Sequence, residues 1–334
     1  MRDIAVVGAG GWGTALSVHL ARVGHNVRLW AREPEIVEQI RRARTNDTFL
    51  PGVVIPPGVD ACERLEDAVE GVEIVLVATP SHGTRVVVRQ LAPRLRDGAT
   101  LVSATKGIEQ TTLRRPSEII AEEAGPGHPV VVLSGPSFAR EVALELPTAI
   151  SAASADRAAA ELVQSEFRGR LFRLYTTDDV VGVEIGAALK NVIAIAAGVV
   201  EGLGLGHNAM AGLITRGLAE ISRLAHALGG RRETLAGLSG LGDLVLTCTG
   251  SLSRNRQFGI ELGRGRSAHD ILASMKMVAE GVKTTGAALE LGARHQVELP
   301  IAEQMAAVLA GRTDPRSATE ALFLRPQRGE ADGR

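Results

Sequence analysis

The stretch Ile4-Ala-Val-Val-Gly8-Ala-Gly10-Gly-Trp-Gly13 decides the fold of this chain of 334 residues. Its apolar start predicts a buried strand over 4–8, and the pattern from Thr14 to Arg22 predicts a helix that ends before Gly24. The glycines between them follow the spacing Gly-x-Gly-x-x-Gly, and residues 26–30 predict a second strand. A strand, a tight turn, a helix and a strand in this order are typical of a dinucleotide-binding unit.

Each glycine of this turn has its own predicted role. Gly8 permits the turn, Gly10 lets the backbone approach a pyrophosphate, and Gly13 lets the helix pack on the strand. Free N–H groups at the start of the helix then face the phosphates. The alternatives are a purely structural glycine turn and a methyltransferase loop, which usually lacks the third glycine.

The residues after the second strand indicate which ribose is bound. An acidic residue there is typical of NAD(H) sites, and an arginine is typical of NADP(H) sites. This chain has Ala31-Arg32-Glu33. Arg32 can bind a 2′-phosphate with its planar guanidinium, whereas Glu33 can bind a ribose hydroxyl or simply precede a helix. The pattern favours NADP(H), and NAD(H) remains possible.

The rest of the first half alternates predicted strands with helices, which indicates a parallel sheet with right-handed crossovers. We predict strands over 73–78, 100–104, 130–134, 148–152 and 170–175, helices over 62–69 and 82–95, and an irregular connection over 45–61. Ligands of such sheets bind at the carboxyl ends of the strands. The strand ends expected to meet at that edge carry Gly10, Ser81, Lys106 and Ser137. Lys106 taken alone is equally well explained as an ordinary loop lysine.

The pattern changes at Asp178, where valine-rich and isoleucine-rich runs give way to helical patterns. We therefore predict an α/β Rossmann-type N-terminal domain with a mostly parallel sheet over 1–177. An all-α domain for substrate and catalysis follows over 178–324, and 325–334 form a frayed polar tail. Helices are expected over 209–228, 256–262, 282–295 and 300–309.

One lysine stands inside an apolar helical stretch, 184–195. Lys190 has Gly186, Ala187, Ile193 and Ala194 as its helical neighbours, and three of them are small. A glycine inside a helix needs a reason, which is either close packing against another backbone or open space beside the ammonium. A lysine whose stem lies on apolar surface while its head reaches water is an equally good explanation of this stretch.

Two loops of the second half carry polar groups. One is predicted over 238–244 and contains Asp243, and the other over 247–256 contains Ser253 and Arg254. Hydroxyls, glycine and arginines before a helix make a plausible phosphate site. Taken alone, Ser253 is better explained as a helix cap and Arg254 as part of a surface ion pair. The segment 277–281 precedes another helix and is also readily explained as a turn.

Composition excludes several other classes of protein. With 45% hydrophobic and 22% charged residues and a net charge of −1, the chain is an ordinary globular protein with no charge signature for nucleic acid or a membrane surface. Cys62 and Cys248 are far apart and have no Cys-x-x-Cys partner, so we expect neither disulfide nor metal. The longest apolar stretch, 185–200, contains Lys190 and falls short of a membrane span. The chain opens on a strand, without a secretory signal, and a cytoplasmic protein with no membrane insertion is expected.

Seven segments together resemble the bacterial NAD(P)-dependent glycerol-3-phosphate dehydrogenases. They occur in family order and span nearly the whole chain, at 8–16, 104–107, 135–139, 188–194, 240–244, 253–255 and 278–281. The resemblance implies a Rossmann domain, a helical domain, a homodimer and reversible reduction of dihydroxyacetone phosphate to sn-glycerol 3-phosphate for phospholipid synthesis.

The resemblance also implies the site residues. Lys190 is the catalytic acid/base. The residues that line the substrate are Lys106, Gly135, Ser137, Lys190, Asp243, Ser253, Arg254 and Asn255. Those beside the coenzyme, in addition to the turn glycines Gly8, Gly10, Gly11 and Gly13, are Trp12, Arg32, Lys106, Ala139, Arg254, Val278 and Glu280. Gly11 departs from the family, which usually has serine there, so a possible hydroxyl contact is lost while the backbone N–H remains.

The residue types suit the chemistry that the resemblance implies. A protonated Lys190 can stabilise a developing alkoxide and donate its proton, and the small residues around it are expected to leave room for a triose. Asp243 can accept a hydrogen bond from the substrate C1 hydroxyl, and Arg254 can hold its phosphate. The alternatives are a dehydrogenase of the same architecture that acts on a β-hydroxy acid or sugar acid, and a sensor that binds NADPH without turnover.

Overall fold

The computed structural model describes residues 1–275, 279–327 and 329, and they form two compact units. The first unit comprises Met1–Lys106 and Arg114–Val180. The second comprises Gly107–Leu113 and the described residues from Val181 onward. A short segment before the middle of the chain therefore belongs to the second unit, although its neighbours on both sides belong to the first.

An eight-stranded sheet organises the first unit. The strands are β1 (Asp3–Val7), β2 (Asn26–Trp30), β3 (Val59–Cys62), β4 (Ile74–Val77), β5 (Thr100–Ser103), β6 (Val130–Ser134), β7 (Thr148–Ala153) and β8 (Phe172–Thr177). Their order is β3-β2-β1-β4-β5-β6-β7-β8, and every neighbouring pair is parallel except β6 and β7. The order reverses direction between β1 and β4, which is the switch point of a doubly wound sheet.

Helices cover the sheet of the first unit. They are α1 (Gly11–Arg22), α2 (Pro34–Ala43), α3 (Leu65–Val69), α4 (Ser81–Leu91), α5 (Pro116–Ala124), α6 (Ala139–Ala143) and α7 (Arg157–Phe167). Two apolar clusters result because successive side chains of a strand alternate between the two faces of the sheet. Ile4 and Val6 belong to one cluster, whereas Ala5 and Val7 belong to the other. The predicted Rossmann architecture with a mostly parallel sheet is confirmed.

Strand β3 corrects the predicted irregular connection over 45–61 and the predicted helix over 62–69. Residues Val59–Cys62 pair in parallel with Val27–Trp30 of β2, and the following helix starts only at Leu65. The strand has only four residues, and Gly58 and two prolines precede it. Those turn residues concealed an edge strand whose stability depends on pairing with β2.

The second unit is helical. Its helices are α8 (Val180–Gly202), α9 (Gly206–Ala227), α10 (Arg232–Ala236), α11 (Asp243–Thr249), α12 (Arg254–Gly263), α13 (Ala268–Ser274), α14 (Glu280–Arg294), α15 (Pro300–Leu309) and α16 (Pro315–Phe323). A single apolar cluster forms its core, and α8 contributes its residues from nearly every side. In the tail, Arg325 pairs with Glu298 at 2.9 Å, while residue 328 and residues 330–334 lie outside the described part of the chain.

Helix α8 is longer than the sequence pattern indicated. Its 23 residues are long and apolar enough to cross a membrane by length and composition, in contrast to the expected shortfall. In this structure 89% of an apolar stretch of 18 residues in this helix is buried inside the protein. The helix is accordingly the core helix of the second unit.

A buried carboxyl group caps one helix of this unit. Glu220 on α9 accepts hydrogen bonds from the backbone N–H of Ile301, at 2.7 Å, and of Ala302 in the first turn of α15. Burial raises the pKa of Glu220 to about 7, although these two N–H groups oppose the change.

Candidate active site

The structure gives each glycine of the first turn a separate physical reason. Gly8 has a φ of +115°, and a Cβ there would lie 2.9 Å from the Ala78 oxygen. A Cβ on Gly13 would lie 1.9 Å from the Gly8 oxygen, so glycine is required for close packing. A Cβ on Gly10 would meet no protein atom within 4 Å. The backbone at Gly10 is therefore open, as the approach of a pyrophosphate would require.

The start of α1 adds two further observations. A Cβ on Gly11 would lie 2.7 Å from the Phe49 oxygen and 3.9 Å from the Ala139 Cβ. The serine usual in the family would therefore require the backbone at Phe49 to move. The indole Nε1 of Trp12 is buried and has no hydrogen-bond partner among the residues that the structure describes.

Arg32 stands at the surface just beyond β2. Its side chain is 81% exposed, and its guanidinium donates to the Glu33 carboxylate at 2.7 and 3.1 Å. Glu33 therefore restricts the orientation of the guanidinium. A 2′-phosphate bound by Arg32 would have to share the guanidinium with Glu33 or displace it.

Three predicted substrate residues come together at the strand ends of the first unit. Lys106 Nζ donates to the Gly135 oxygen at 3.4 Å, and the Ser137 hydroxyl donates to the same oxygen at 2.9 Å. Gly135 has a φ of +147°, and a Cβ there would lie 2.9 Å from Ile150 Cα. Only glycine fits this crowded, left-handed position. Ser81 is buried at the first residue of α4.

Lys190 lies in a buried polar cluster of the second unit. The residue is 5% exposed, and its ammonium forms an ion pair with Asp243, whose side chain is 1% exposed. Nζ also donates to the Thr247 hydroxyl at 3.0 Å, and that hydroxyl donates to the Asp243 backbone oxygen at 2.6 Å. The carboxylate favours the charged form of the lysine, in opposition to burial. Solvation of an ammonium head by bulk water, the simplest explanation from sequence, is wrong for this residue.

Gly186, one of the small neighbours of Lys190, serves close backbone packing. A Cβ on Gly186 would lie 2.6 Å from the Ser239 oxygen, so open space for a triose is not the reason for this glycine. Ser239 belongs to a π-helical turn, Leu238–Gly242, which continues directly into α11. The predicted loop over 238–244 is therefore wrong. The π-helical turn packs against α8, and Asp243 is the next residue after the turn. The Asp243 carboxylate therefore lies beside the Lys190 ammonium.

A second polar cluster surrounds Asn255. Its Nδ2 donates to Asn191 Oδ1 at 3.0 Å, and its Oδ1 accepts from the Gly281 N–H at 3.0 Å. A Cβ on Gly281 would lie 2.5 Å from the backbone oxygen of Asn191. Asn255 therefore joins α8 to the first turn of α14.

The predicted phosphate loop over 247–256 is helical at both ends, because α11 extends to Thr249 and α12 begins at Arg254. Ser253 is the N-cap, and its hydroxyl accepts from the Arg256 N–H at 3.2 Å, as the cap interpretation expects. Arg254 is the first helical residue and keeps access to solvent. Desolvation of the guanidinium by the surrounding protein atoms lowers the pKa of Arg254, and the carboxylate of Glu280 opposes that change. Val278, which precedes Glu280, lies outside the described residues.

Both halves of the chain match family models. Residues 3–160 match the N-terminus and residues 179–320 the C-terminus of NAD-dependent glycerol-3-phosphate dehydrogenase. The chain is 55% identical to glycerol-3-phosphate dehydrogenase [NAD(P)+] of Koribacter versatilis over 99% of both chains. Its identity to the Geobacter sulfurreducens enzyme is 52% over 98% of both chains.

The chain belongs to the NAD-dependent glycerol-3-phosphate dehydrogenase family. A crystal structure of glycerol-3-phosphate dehydrogenase from Coxiella burnetii superimposes with a TM-score of 0.93, at 40% identity, over 97% of this chain and 99% of that one. A D-mandelate dehydrogenase and a ketopantoate reductase, at 13% and 17% identity, share the fold alone. The resemblance stated from the seven sequence segments is confirmed.

Thr247 and Asn191 are two residues without a predicted role that lie beside the expected ones. Thr247 lies one helical turn after Asp243, so its position on the same face was available from the spacing of four residues. Asn191 adjoins Lys190 in sequence, but its contact with Asn255 joins residues 64 positions apart. The Cys248 thiol lies near Lys190, and burial raises its pKa to about 12, which keeps it protonated and unreactive.

Proposed function

We propose that this protein catalyses the reversible reduction of dihydroxyacetone phosphate to sn-glycerol 3-phosphate with NAD(P)H. The observation that carries the proposal is the buried cluster of Lys190, Asp243 and Thr247, in a chain whose two halves match this dehydrogenase family. An ammonium held by a carboxylate and a hydroxyl inside a protein is well suited to donate a proton in a fixed direction.

The first unit has features that fit a dinucleotide. The open backbone at Gly10, the N–H groups at the start of the 12-residue helix α1 and the buried indole N–H of Trp12 all suit a phosphate-bearing ligand. When bound, the nicotinamide coenzyme supplies a hydride to C2 of the ketone. We assign coenzyme contacts to Gly8, Gly10, Gly11, Trp12, Gly13, Arg32, Lys106, Ala139, Arg254, Val278 and Glu280.

Lys190 acts on the oxygen of the reacting ketone. As C2 gains the hydride, its oxygen becomes negative and must gain a proton. Lys190 stabilises that charge and donates the proton, and Asp243 favours the return of the ammonium form. Thr247 restricts the direction of Nζ because its own proton is used by the Asp243 backbone oxygen. The reverse reaction uses the neutral amine as the base.

The remaining substrate residues hold the two ends of the triose. Arg254 and the N-terminus of α12 bind the phosphate, which suits a guanidinium at the start of a ten-residue helix. Asp243 accepts from the C1 hydroxyl. Binding energy from the distant phosphate orients the ketone for reaction. We assign further substrate contacts to Lys106, Gly135, Ser137, Ser253 and Asn255.

We further propose that NADPH is preferred over NADH, because Arg32 follows β2 at the position that contacts the 2′-phosphate. We also propose that the protein is a cytoplasmic homodimer and that it supplies glycerol 3-phosphate for phospholipid synthesis. The two cysteines are free thiols, in keeping with a reducing compartment.

Coenzyme absorbance tests the proposed reaction directly. NADPH should be oxidised when dihydroxyacetone phosphate is added, and far more slowly with dihydroxyacetone, which lacks the phosphate. Turnover of a carboxylate substrate such as a 3-keto acid, in place of the phosphorylated triose, would indicate the alternative dehydrogenase. Tight NADPH binding without turnover of either substrate would indicate a sensor.

A further inference from the structure

A buried asparagine of the connection after α2 contacts the glycine-rich turn. Asn46 is 0% exposed, and its Nδ2 donates to the Ala9 oxygen at 2.8 Å and to the Thr14 hydroxyl at 2.9 Å. The same hydroxyl donates to the Ala9 oxygen at 3.2 Å. Two side chains from different parts of the sequence therefore hold one carbonyl group of the turn.

The position of that carbonyl controls the next N–H group. In a trans peptide the C=O of one residue and the N–H of the next lie in one plane and point in opposite directions. The oxygen of Ala9 and the N–H of Gly10 belong to the same peptide. When Asn46 and Thr14 hold the oxygen, they also determine where the Gly10 N–H points. Gly10 is the position where the backbone is open to a ligand.

Asn46 also orders the segment that follows it. Its Oδ1 accepts from the Phe49 N–H at 3.3 Å, and its backbone oxygen accepts from the Leu50 N–H at 2.8 Å. This short turn brings the Phe49 oxygen to within 2.7 Å of where a Cβ on Gly11 would lie. One side chain thus restricts two successive positions of the turn, Gly10 and Gly11.

We propose that Asn46 is a positioning residue for coenzyme binding, which acts through the Ala9 carbonyl to aim the Gly10 N–H at the pyrophosphate. The proposal rests on the proposed coenzyme role of the turn. It assigns to Asn46 no contact with the reacting atoms. Loss of the amide should therefore weaken coenzyme binding and leave the chemical step intact.

Asn46→Leu and Asn46→Asp test this inference, because both keep the number of side-chain heavy atoms and lose the N–H donors. We expect the KM and the Kd for NADPH to rise about 10-fold to 100-fold, as the loss of two buried hydrogen bonds predicts. The kcat at saturating NADPH and the KM for dihydroxyacetone phosphate should stay within about twofold of wild type. Asn26→Ser is the control, since Asn26 is exposed and its side-chain amide donates to the Asp3 carboxylate at 2.9 Å.

A merely structural role would give a different result. It would lower the thermal unfolding temperature and the active fraction, and therefore kcat, with the KM for NADPH unchanged, and this outcome would overturn the proposal. If neither Asn46 variant folds, Thr14→Val removes one acceptor and one donor of the same arrangement. That variant should raise the KM for NADPH several-fold, and an unchanged value would also overturn the proposal. The Kd for NADPH, measured by fluorescence without substrate, keeps this test independent of whether the proposed reaction occurs.

Discussion

Replacement of Lys190 by methionine should destabilise the second unit as well as abolish turnover. Lys190→Met keeps the apolar stem and removes the ammonium that pairs with the carboxylate of Asp243, whose side chain is 1% exposed. Removal of a buried lysine that had no ion-pair partner would be neutral or stabilising, because the cost of desolvating its charge would disappear. The ion pair seen in the structure reverses that expectation.

The magnitude follows from burial. Removal of one partner of a buried ion pair costs about 3–5 kcal/mol of unfolding free energy, because the other buried charge loses the attraction that offset its desolvation. For a unit of this size, about 2–4 °C in Tm accompanies each kcal/mol, so Tm should fall by roughly 6–20 °C. The kcat should fall about 10²-fold to 10⁴-fold with the loss of general-acid catalysis.

A double-mutant cycle measured by urea unfolding separates the pair from its surroundings. Asp243→Asn alone should also destabilise the protein, whereas Lys190→Met combined with Asp243→Asn should lose much less than the sum of the two single changes. Lys283→Met is the control, since Lys283 is a partly exposed lysine on α14 of the same unit. An unchanged or raised Tm in Lys190→Met, or additive effects in the cycle, would refute the reasoning.

Three other predictions concern the coenzyme and pH. Arg32→Ala should raise the KM for NADPH about 10-fold to 100-fold and change that for NADH little, because only NADPH has a 2′-phosphate for a charge-assisted bond; equal losses in steady-state kinetics would exclude Arg32 as the discriminator. Gly11→Ser should raise the KM for NADPH, since its Cβ would lie 2.7 Å from the Phe49 oxygen, whereas Gly83→Ser, with no protein atom within 4 Å, should change nothing. The pKa of Glu220 is raised to about 7 from its ordinary value, so its contribution to stability is fully present below pH 4.5 and is lost as pH rises through 7. Glu220→Gln should therefore gain about 3 kcal/mol relative to wild type between pH 4.5 and pH 8 in urea unfolding, and a constant difference would show that the carboxyl is not the cause.

The features that the sequence determined are those set by local backbone chemistry. Gly8 and Gly13 are required by a positive φ and by contact with the adjacent strand, so their spacing alone predicts the turn. The continuous apolar strands and the helices between them follow from periodicity over a few residues. Helix α15, Pro300–Leu309, was predicted to the residue because a proline begins it and its apolar pattern ends with it.

Features that needed the tertiary structure depend on partners distant in sequence. Strand β3 forms because β2 offers a hydrogen-bonding edge, and the residues of β3 alone do not predict this pairing. The residues of β7 likewise do not predict that it runs antiparallel to β6. The π-helical turn is stabilised by contact with Gly186, about fifty residues earlier.

The candidate site shows the same division. The sequence identified Lys190 as an unusual lysine in an apolar helix and Asp243 as a polar residue in a glycine-rich segment. Only the tertiary structure joined them, together with Thr247, which lies 57 positions from the lysine. Asn46 and Ala9 are another such pair, 37 positions apart. The function of a charged group or an amide depends on the protein atoms that contact it and exclude water from it. These groups become buried only when the chain folds.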